Sequence, residues 1–343
     1  MKRSLTGLLA TLMLAGTTLA ADTAPPGWGA LELLQRTIPT GEKRKFSFQE
    51  VPTFEGSFLN TAIFAARGAK PGPTLCLTAL VHGDERNGFE VARTAFAATD
   101  ARQLSGTLIA LPAINVNGFR TGSRYMPDRR DLNRAFPGDT KGSNTSLIAG
   151  IVFRTVKEHC DALIDLHTGS FDRANLPQVR VDLANPRALE LARRFGAAVV
   201  MGGPGPNGSL RREVMDAGIP AIIYEAGLPL RFEPDEIAAG VQGVRNVMIH
   251  LSMVTGKASE PTPSSRVYAS SRWLRAPFGQ GGVFYADKPL GAVIAPGDVI
   301  AHIDDPFTDE RHLVTAGSAG TIVGMAVPQV VFSGYALIHV ARN

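Results

Sequence analysis

Two short fragments carry the side chains best suited to chemistry. His82-Gly83-Asp84-Glu85 arrives directly after the apolar run at residues 75–81, and Asp165-Leu166-His167 directly after Ala162-Leu163-Ile164. Two imidazoles and a carboxylate at strand ends make the three-ligand set of an open catalytic zinc site, with a fourth position left for water or substrate. His82 and Glu85, three residues apart, enter one small site if the chain turns just after its strand, and His167 reaches it from a second strand. A lone His-x-x-Glu is weak evidence of metal; a second histidine in the same strand-end setting strengthens it. The chemistry implied is hydrolysis.

A third apolar strand, residues 221–225, ends on Glu225 and is followed by Ala226-Gly227. Open α/β sheets hold their sites at the carboxyl ends of strands, which puts Glu225 at the same rim. A three-ligand zinc needs a carboxylate to accept the proton of its water, and Glu225 suits that role, a capping or salt-bridged glutamate being the alternative. A long polar loop, residues 115–145, holds Arg124-Tyr125-Met126-Pro127 and then Asp131-Leu132-Asn133-Arg134. Asn133 beside Arg134 suits recognition of a carboxylate, because a guanidinium fork meets both oxygens and the amide adds a donor. A solvated polar loop is the bland alternative, but loops of this length in compact domains usually carry function.

The elements that must position these side chains follow from periodicity. Residues 46–66 alternate like strands around a turn at Gly56, and the runs at 75–81 and 107–112 are the continuous apolar patterns of strands buried on both faces. Helices are predicted over 88–98, up to about 157, over 188–195, 210–216 and about 234–254, with further strands ending at His167, at 197–201 and at 221–225. This alternation predicts an α/β fold with a mixed, mostly parallel sheet flanked by helices. The stripe Ile237, Val241, Val244, Val247 and Met248 reads as a core-facing helix side. Residues 259–265, rich in Pro and Ser, read as a linker, after which short strands separated by Gly and Pro predict a small all-β, barrel-like domain. The expected division is a leader at 1–21, a catalytic domain at 22–260 and a β-rich domain at 266–343.

With 343 residues, 44% hydrophobic and 19% charged, the chain can bury a sizeable core. Lys2 and Arg3 ahead of the apolar residues 8–15 read as a secretory signal peptide cleaved near Ala20 or Ala21, too short to span a bilayer. Export is expected, to the periplasm in a double-membraned bacterium, with no stable membrane anchor after cleavage. Loss of the two leader charges lowers the formal net charge of +4, and the dispersed Lys and Arg give no nucleic-acid footprint. A homo-oligomer is compatible with the chain. Cys76 and Cys160 precede the two ligand-bearing strand ends; a disulfide and two buried thiols are both open readings in an exported protein.

Several motifs carry less. The segment 203–208 fits a dinucleotide fingerprint formally, but Pro204 and Pro206 remove amide donors that a pyrophosphate would use. Asp287-Lys288 resembles a lipoyl-attachment turn, but Pro289 follows at once. His159, His250, His302, His312 and His339 lack acids at ligand spacing and read as surface or packed histidines. There is no Gly-x-Ser-x-Gly elbow and no Walker-type loop.

Taken together, His82-Gly83-Asp84-Glu85, Asp131-Leu132-Asn133-Arg134, Asp165-Leu166-His167 and Glu225-Ala226-Gly227 resemble, in order, the succinylglutamate desuccinylase/aspartoacylase family of zinc hydrolases, relatives of the metallocarboxypeptidases. The resemblance runs from about Phe46 to the C-terminus. It implies a carboxypeptidase-like domain with a small β-barrel appendage at the mouth of the site. It further implies that His82, Glu85 and His167 bind one zinc ion per chain, that Glu225 acts as general base and then acid, and that Asn133 and Arg134 grip a substrate carboxylate. Arg124 would polarise the scissile carbonyl, with Arg129 and Arg130 as alternatives. The expected activity is hydrolysis of an amide or ester in a small carboxylate-bearing substrate such as an N-acyl amino acid. The rivals are a periplasmic carboxypeptidase or amidase acting on cell-wall peptides, and a non-catalytic carboxylate-binding protein.

Overall fold

A computed structural model describes residues 28–52, 58–259 and 265–342. The leader at 1–21, the Gly56 turn and most of the 259–265 linker lie outside the described residues. Four parallel strands form the centre of a large mixed sheet, in the spatial order Ser105–Ala113, Lys70–Ala79, Ala162–His167 and Ala221–Gly227. They are buried on both faces because successive side chains alternate between two cores: Leu75, Leu77 and Ile164 enter one, Cys76 and Leu163 the other. The helices Asn87–Ala98, Pro186–Phe195 and Pro234–His250 supply the first core, with Val244, Val247 and Met248 of the predicted stripe inside it. Asn144–His159 and Leu210–Asp216 cover the opposite face. The result is a three-layer α/β/α arrangement.

Two features of the sheet went unforeseen. The long loop contains a short helix, Val116–Thr121, whose cap Asn115 accepts a hydrogen bond from the Gly118 amide, and a 3-10 turn at Leu132–Arg134 capped by Asp131. The strand Arg173–Val181, antiparallel to Ala221–Gly227, was not predicted at all. Its buried Asn175 and Gln178 break the apolar pattern, and their partners lie far away in sequence.

That strand also joins the two halves of the chain. Arg173–Val181 pairs with Gly320–Ala326, which pairs with Ala336–Arg342, which pairs with Ser270–Arg275, while Arg266–Tyr268 pairs with Val199–Gly202. The C-terminal segment therefore continues the large sheet, and adds a four-stranded antiparallel sheet with its own core around Phe284, Ile300, Ile303 and Leu337. There His302 Nδ1 meets Asp287 at 3.0 Å, because strand pairing brings Tyr285 opposite His302 and so Asp287 within reach.

Cys76 and Cys160 form a disulfide with their Cα atoms 5.8 Å apart. Cys76 stands opposite Leu163 in the parallel pair, and Cys160 closes the helix that feeds that strand. No described helix is long and apolar enough to cross a membrane.

Candidate active site

The carboxyl ends of the three central strands bring the predicted residues together. Parallel pairing places Glu225 beside His167, and Ile223 beside Asp165. The Lys70–Ala79 strand ends next to Leu166, and the chain then turns through His82 to Glu85. Gly83 lets the Val116–Thr121 helix pack directly against this turn, since a Cβ there would lie 2.1 Å from the Gly118 carbonyl carbon.

His82, Glu85 and His167 are buried, and one donor atom from each lies within 4.8 Å of the others. Glu85 sits between the imidazoles, with Oε1 2.8 Å from His82 Nδ1 and Oε2 2.7 Å from His167 Nδ1. Each ring turns its other nitrogen to a carboxylate: His82 Nε2 meets Asp131 at 3.1 Å and His167 Nε2 meets Asp165 at 2.8 Å. Asp165 is fixed in turn by the Thr78 hydroxyl, 2.7 Å away. Three inward donors at the cavity wall, two of them backed by carboxylates, are a set that could hold a metal through His, Glu and His.

The electrostatics are those of a tightly paired cluster. Burial opposes the charge on His82, but Glu85 and Asp131 outweigh it and raise its pKa; Asp165 and Glu85 likewise raise that of His167 well above the ordinary value. Burial also opposes ionisation of Glu85, yet the two imidazoles hold its carboxyl well below the usual range. Asp84, between His82 and Glu85, is pushed up to about 6, by burial first and then by Glu85.

Around this centre lies a cavity of about 260 Å³ lined by Arg124, Asn133, Arg134 and Glu225, and by Asn175, Arg180, Arg211 and Trp273. Glu225 accepts a hydrogen bond from Asn175 Nδ2 at 2.6 Å and pairs with Arg180 Nη1 at 3.3 Å. Arg124 reaches Glu85 and Asp131, each at 3.1 Å, and donates to the Ser170 hydroxyl. Arg129 and Arg130 do not line the cavity; Arg130 pairs with Asp128. Asn133 accepts from the Leu210 amide through Oδ1 at 2.9 Å, which leaves its NH₂ group as the free donor. The segment 203–208, set aside as a nucleotide loop, instead contributes Pro206 to the wall.

Several residues of the site were not anticipated. Asp165, buried behind His167, has a local signal, because residues i and i+2 of a strand share a face and Asp-x-His therefore stacks acid on imidazole. Arg211 has none: one arginine of a short polar helix gives no sign that it is 4% exposed, with Nε and Nη1 unpartnered among the described residues. Burial, followed by repulsion from Arg180, lowers its pKa to about 10. Trp273 comes from the C-terminal segment, its ring parallel to His339 at 4.6 Å.

This fold and this constellation define a deacylase-type hydrolase. The catalytic domain of the succinylglutamate desuccinylase/aspartoacylase family matches residues 71–251, more than half of the chain, which belongs to that family. A curated relative, the N-alpha-acetyl-L-2,4-diaminobutyric acid deacetylase of Halomonas elongata, is 28% identical over 250 residues, covering 68% of this chain and 71% of its own. Among solved structures, the product-bound ectoine utilization protein EutE of Ruegeria pomeroyi superposes with a TM-score of 0.79 at 24% identity, covering 89% of this chain and 97% of that one. A family member from Rhodobacter sphaeroides gives 0.80 at 23%, covering 88% and 96%. These structures share the fold.

Proposed function

We propose that this protein is an exported, zinc-dependent deacylase that hydrolyses the amide bond of small N-acyl amino acids. The observation that carries the reading is the placement of Glu225 in register with His167, so that an acid outside the His82–Glu85–His167 set faces the same cavity. Zinc, when held by those three residues, supplies a Lewis acid that activates water and polarises a carbonyl.

The chain's own residues account for the proton traffic. Glu225, oriented by Asn175 and Arg180, takes a proton from the attacking water and returns it to the departing amine. Arg124, fixed by Glu85, Asp131 and Ser170, donates to the carbonyl oxygen as its charge grows. The Asn133 amide and Arg134 hold the substrate carboxylate, and Arg211 adds a buried cation that lacks a protein counter-ion among the described residues. Such a cation is costly alone and favours an anionic ligand. A cavity of about 260 Å³ suits a small molecule better than a cell-wall peptide. The leader-like residues 1–21 and a disulfide that suits an oxidising compartment support export.

Asp165→Asn is expected to weaken zinc binding by about 10- to 100-fold, because it removes the charge behind His167. Competition with a chromophoric chelator measures this, and unchanged affinity would speak against the proposed ligand set. For the activity itself, the zinc-loaded protein should release amine from a panel of N-acyl amino acids and leave muropeptides intact. Turnover of muropeptides alone would overturn the reading.

A further inference from the structure

Glu225 stands where the regular pairing of the sheet ends. It is the last residue of its strand in register with the parallel Ala162–His167 strand, and on its other side the pairing with Arg173–Val181 slips between Glu225 and Gly227. The chain just beyond it is held by a side chain instead. Asn87 Nδ2 donates to the Ala226 carbonyl oxygen at 3.1 Å and to Glu233 Oε2 at 3.0 Å, while Asn87 Oδ1 accepts from the Glu233 amide at 2.9 Å. Glu233 Oε2 accepts in turn from the Leu228 amide at 2.7 Å. Asn87 is buried, and both of its amide hydrogens and its carbonyl oxygen are engaged.

Glu233 occupies the N-cap position of the Pro234–His250 helix, yet its carboxylate turns away from that helix toward Leu228 and Asn87. A glycine admits it: Gly227 lies at φ +78°, and a Cβ there would stand 2.0 Å from Glu233 Oε2 and 2.7 Å from Asn87 Nδ2. The same loop is stitched to the turn that carries His82 and Glu85. The Leu230 amide donates to the Asp84 carbonyl oxygen at 2.7 Å, and Arg86 Nη1 donates to the Leu230 carbonyl oxygen at 3.1 Å. Asn87 follows Glu85 by two residues, so one buried amide ties the segment of the grouped donors to the segment of Glu225.

We infer that Asn87, acting with Glu233, is a positioning residue that fixes the strand end beyond Glu225 relative to His82 and Glu85, and so aims the proton carrier at the site of reaction. The inference rests on the assignment of Glu225 as general base and acid. Displacing a catalytic group by about 1 Å costs on the order of 100-fold in rate. The position calls for an amide, because a carboxylate there would face the Ala226 carbonyl oxygen and Glu233 Oε2 with no hydrogen to donate.

Two measurements on the full chain test this. In hydrogen exchange, Asn87→Ala should speed the Glu233 and Leu228 amides by about 3- to 10-fold, the worth of one hydrogen bond, and leave those of Ala162–His167 unchanged. In turnover by the zinc-loaded protein, Asn87→Ala should lower kcat by about 10- to 100-fold, with zinc content and substrate Kd at the wild-type level. A double-mutant cycle distinguishes positioning from general loosening: in the Glu225→Gln background the same substitution should cost less than about threefold, since the group it aims is gone. Glu233→Gln, which keeps an oxygen for Leu228 and Asn87, should retain most of kcat, whereas Glu233→Ala should behave like Asn87→Ala. Unchanged exchange at Glu233 and Leu228, or an equal loss of kcat in both backgrounds, would overturn the inference. Should Asn87→Ala fail to fold, the two Glu233 variants decide by the same readings. If Glu225→Gln keeps its turnover, or no compound is hydrolysed, the proton-carrier assignment falls, and hydrogen exchange alone decides whether Asn87 holds that strand end.

Discussion

Glu225→Gln is expected to lower kcat by about two to four orders of magnitude, the usual contribution of a positioned proton carrier. The substitution keeps the size of the side chain and an oxygen able to accept from Asn175 Nδ2, which now donates to Oε2 at 2.6 Å. What it removes is the capacity to take a proton from water and to hand it to the amine. Because Glu225 is not among the three grouped donors, metal content should stay at the wild-type level. The loss should therefore appear in kcat with little change in substrate Kd, which stopped-flow turnover and equilibrium binding resolve. A variant that retains turnover within about tenfold of wild type would assign the proton transfer to another group.

Removing the disulfide should produce the largest change in stability. Cys76 and Cys160 are 84 residues apart in sequence, and closing a loop of that length constrains the unfolded chain by on the order of 4 kcal/mol. Both residues lie in the core on the face covered by the Asn144–His159 helix, and the bond ties that helix to the strand that leads into His82. Urea denaturation of a Cys76→Ala/Cys160→Ala double variant should give a midpoint well below that of the oxidised wild type. The reduced wild type should move in the same direction. Superimposable curves would show that the cross-link adds nothing to the fold.

The legible parts of the molecule were those whose signal is local. Apolar runs at 75–81, 107–112 and 221–225 announce buried parallel strands because both of their faces meet helices. The ligand-bearing fragments stand out because they interrupt such runs at the rim. The Arg173–Val181 strand is the converse case. It carries Arg173, Asn175, Gln178 and Arg180, polar residues whose placement is explained only by distant partners: Glu225 for Asn175 and Arg180, and the Val323 carbonyl oxygen for Gln178. No window of periodicity contains those partners, so a strand at the heart of the cavity reads as a polar connection. Arg211 and Trp273 escape notice for the same reason. The contribution of the C-terminal segment to the site is likewise a matter of strand pairing across more than 140 residues, Gly324 opposite Asn175, which spacing alone does not announce.

The proposed function turns on whether His82, Glu85 and His167 together hold a metal. Elemental analysis of the purified full chain, with a His167→Ala variant prepared in parallel, tests this most directly. The wild type should carry about one zinc ion per chain, and the variant should lose most of it along with hydrolytic activity. A wild-type protein that holds no zinc and takes none up on addition would contradict the account.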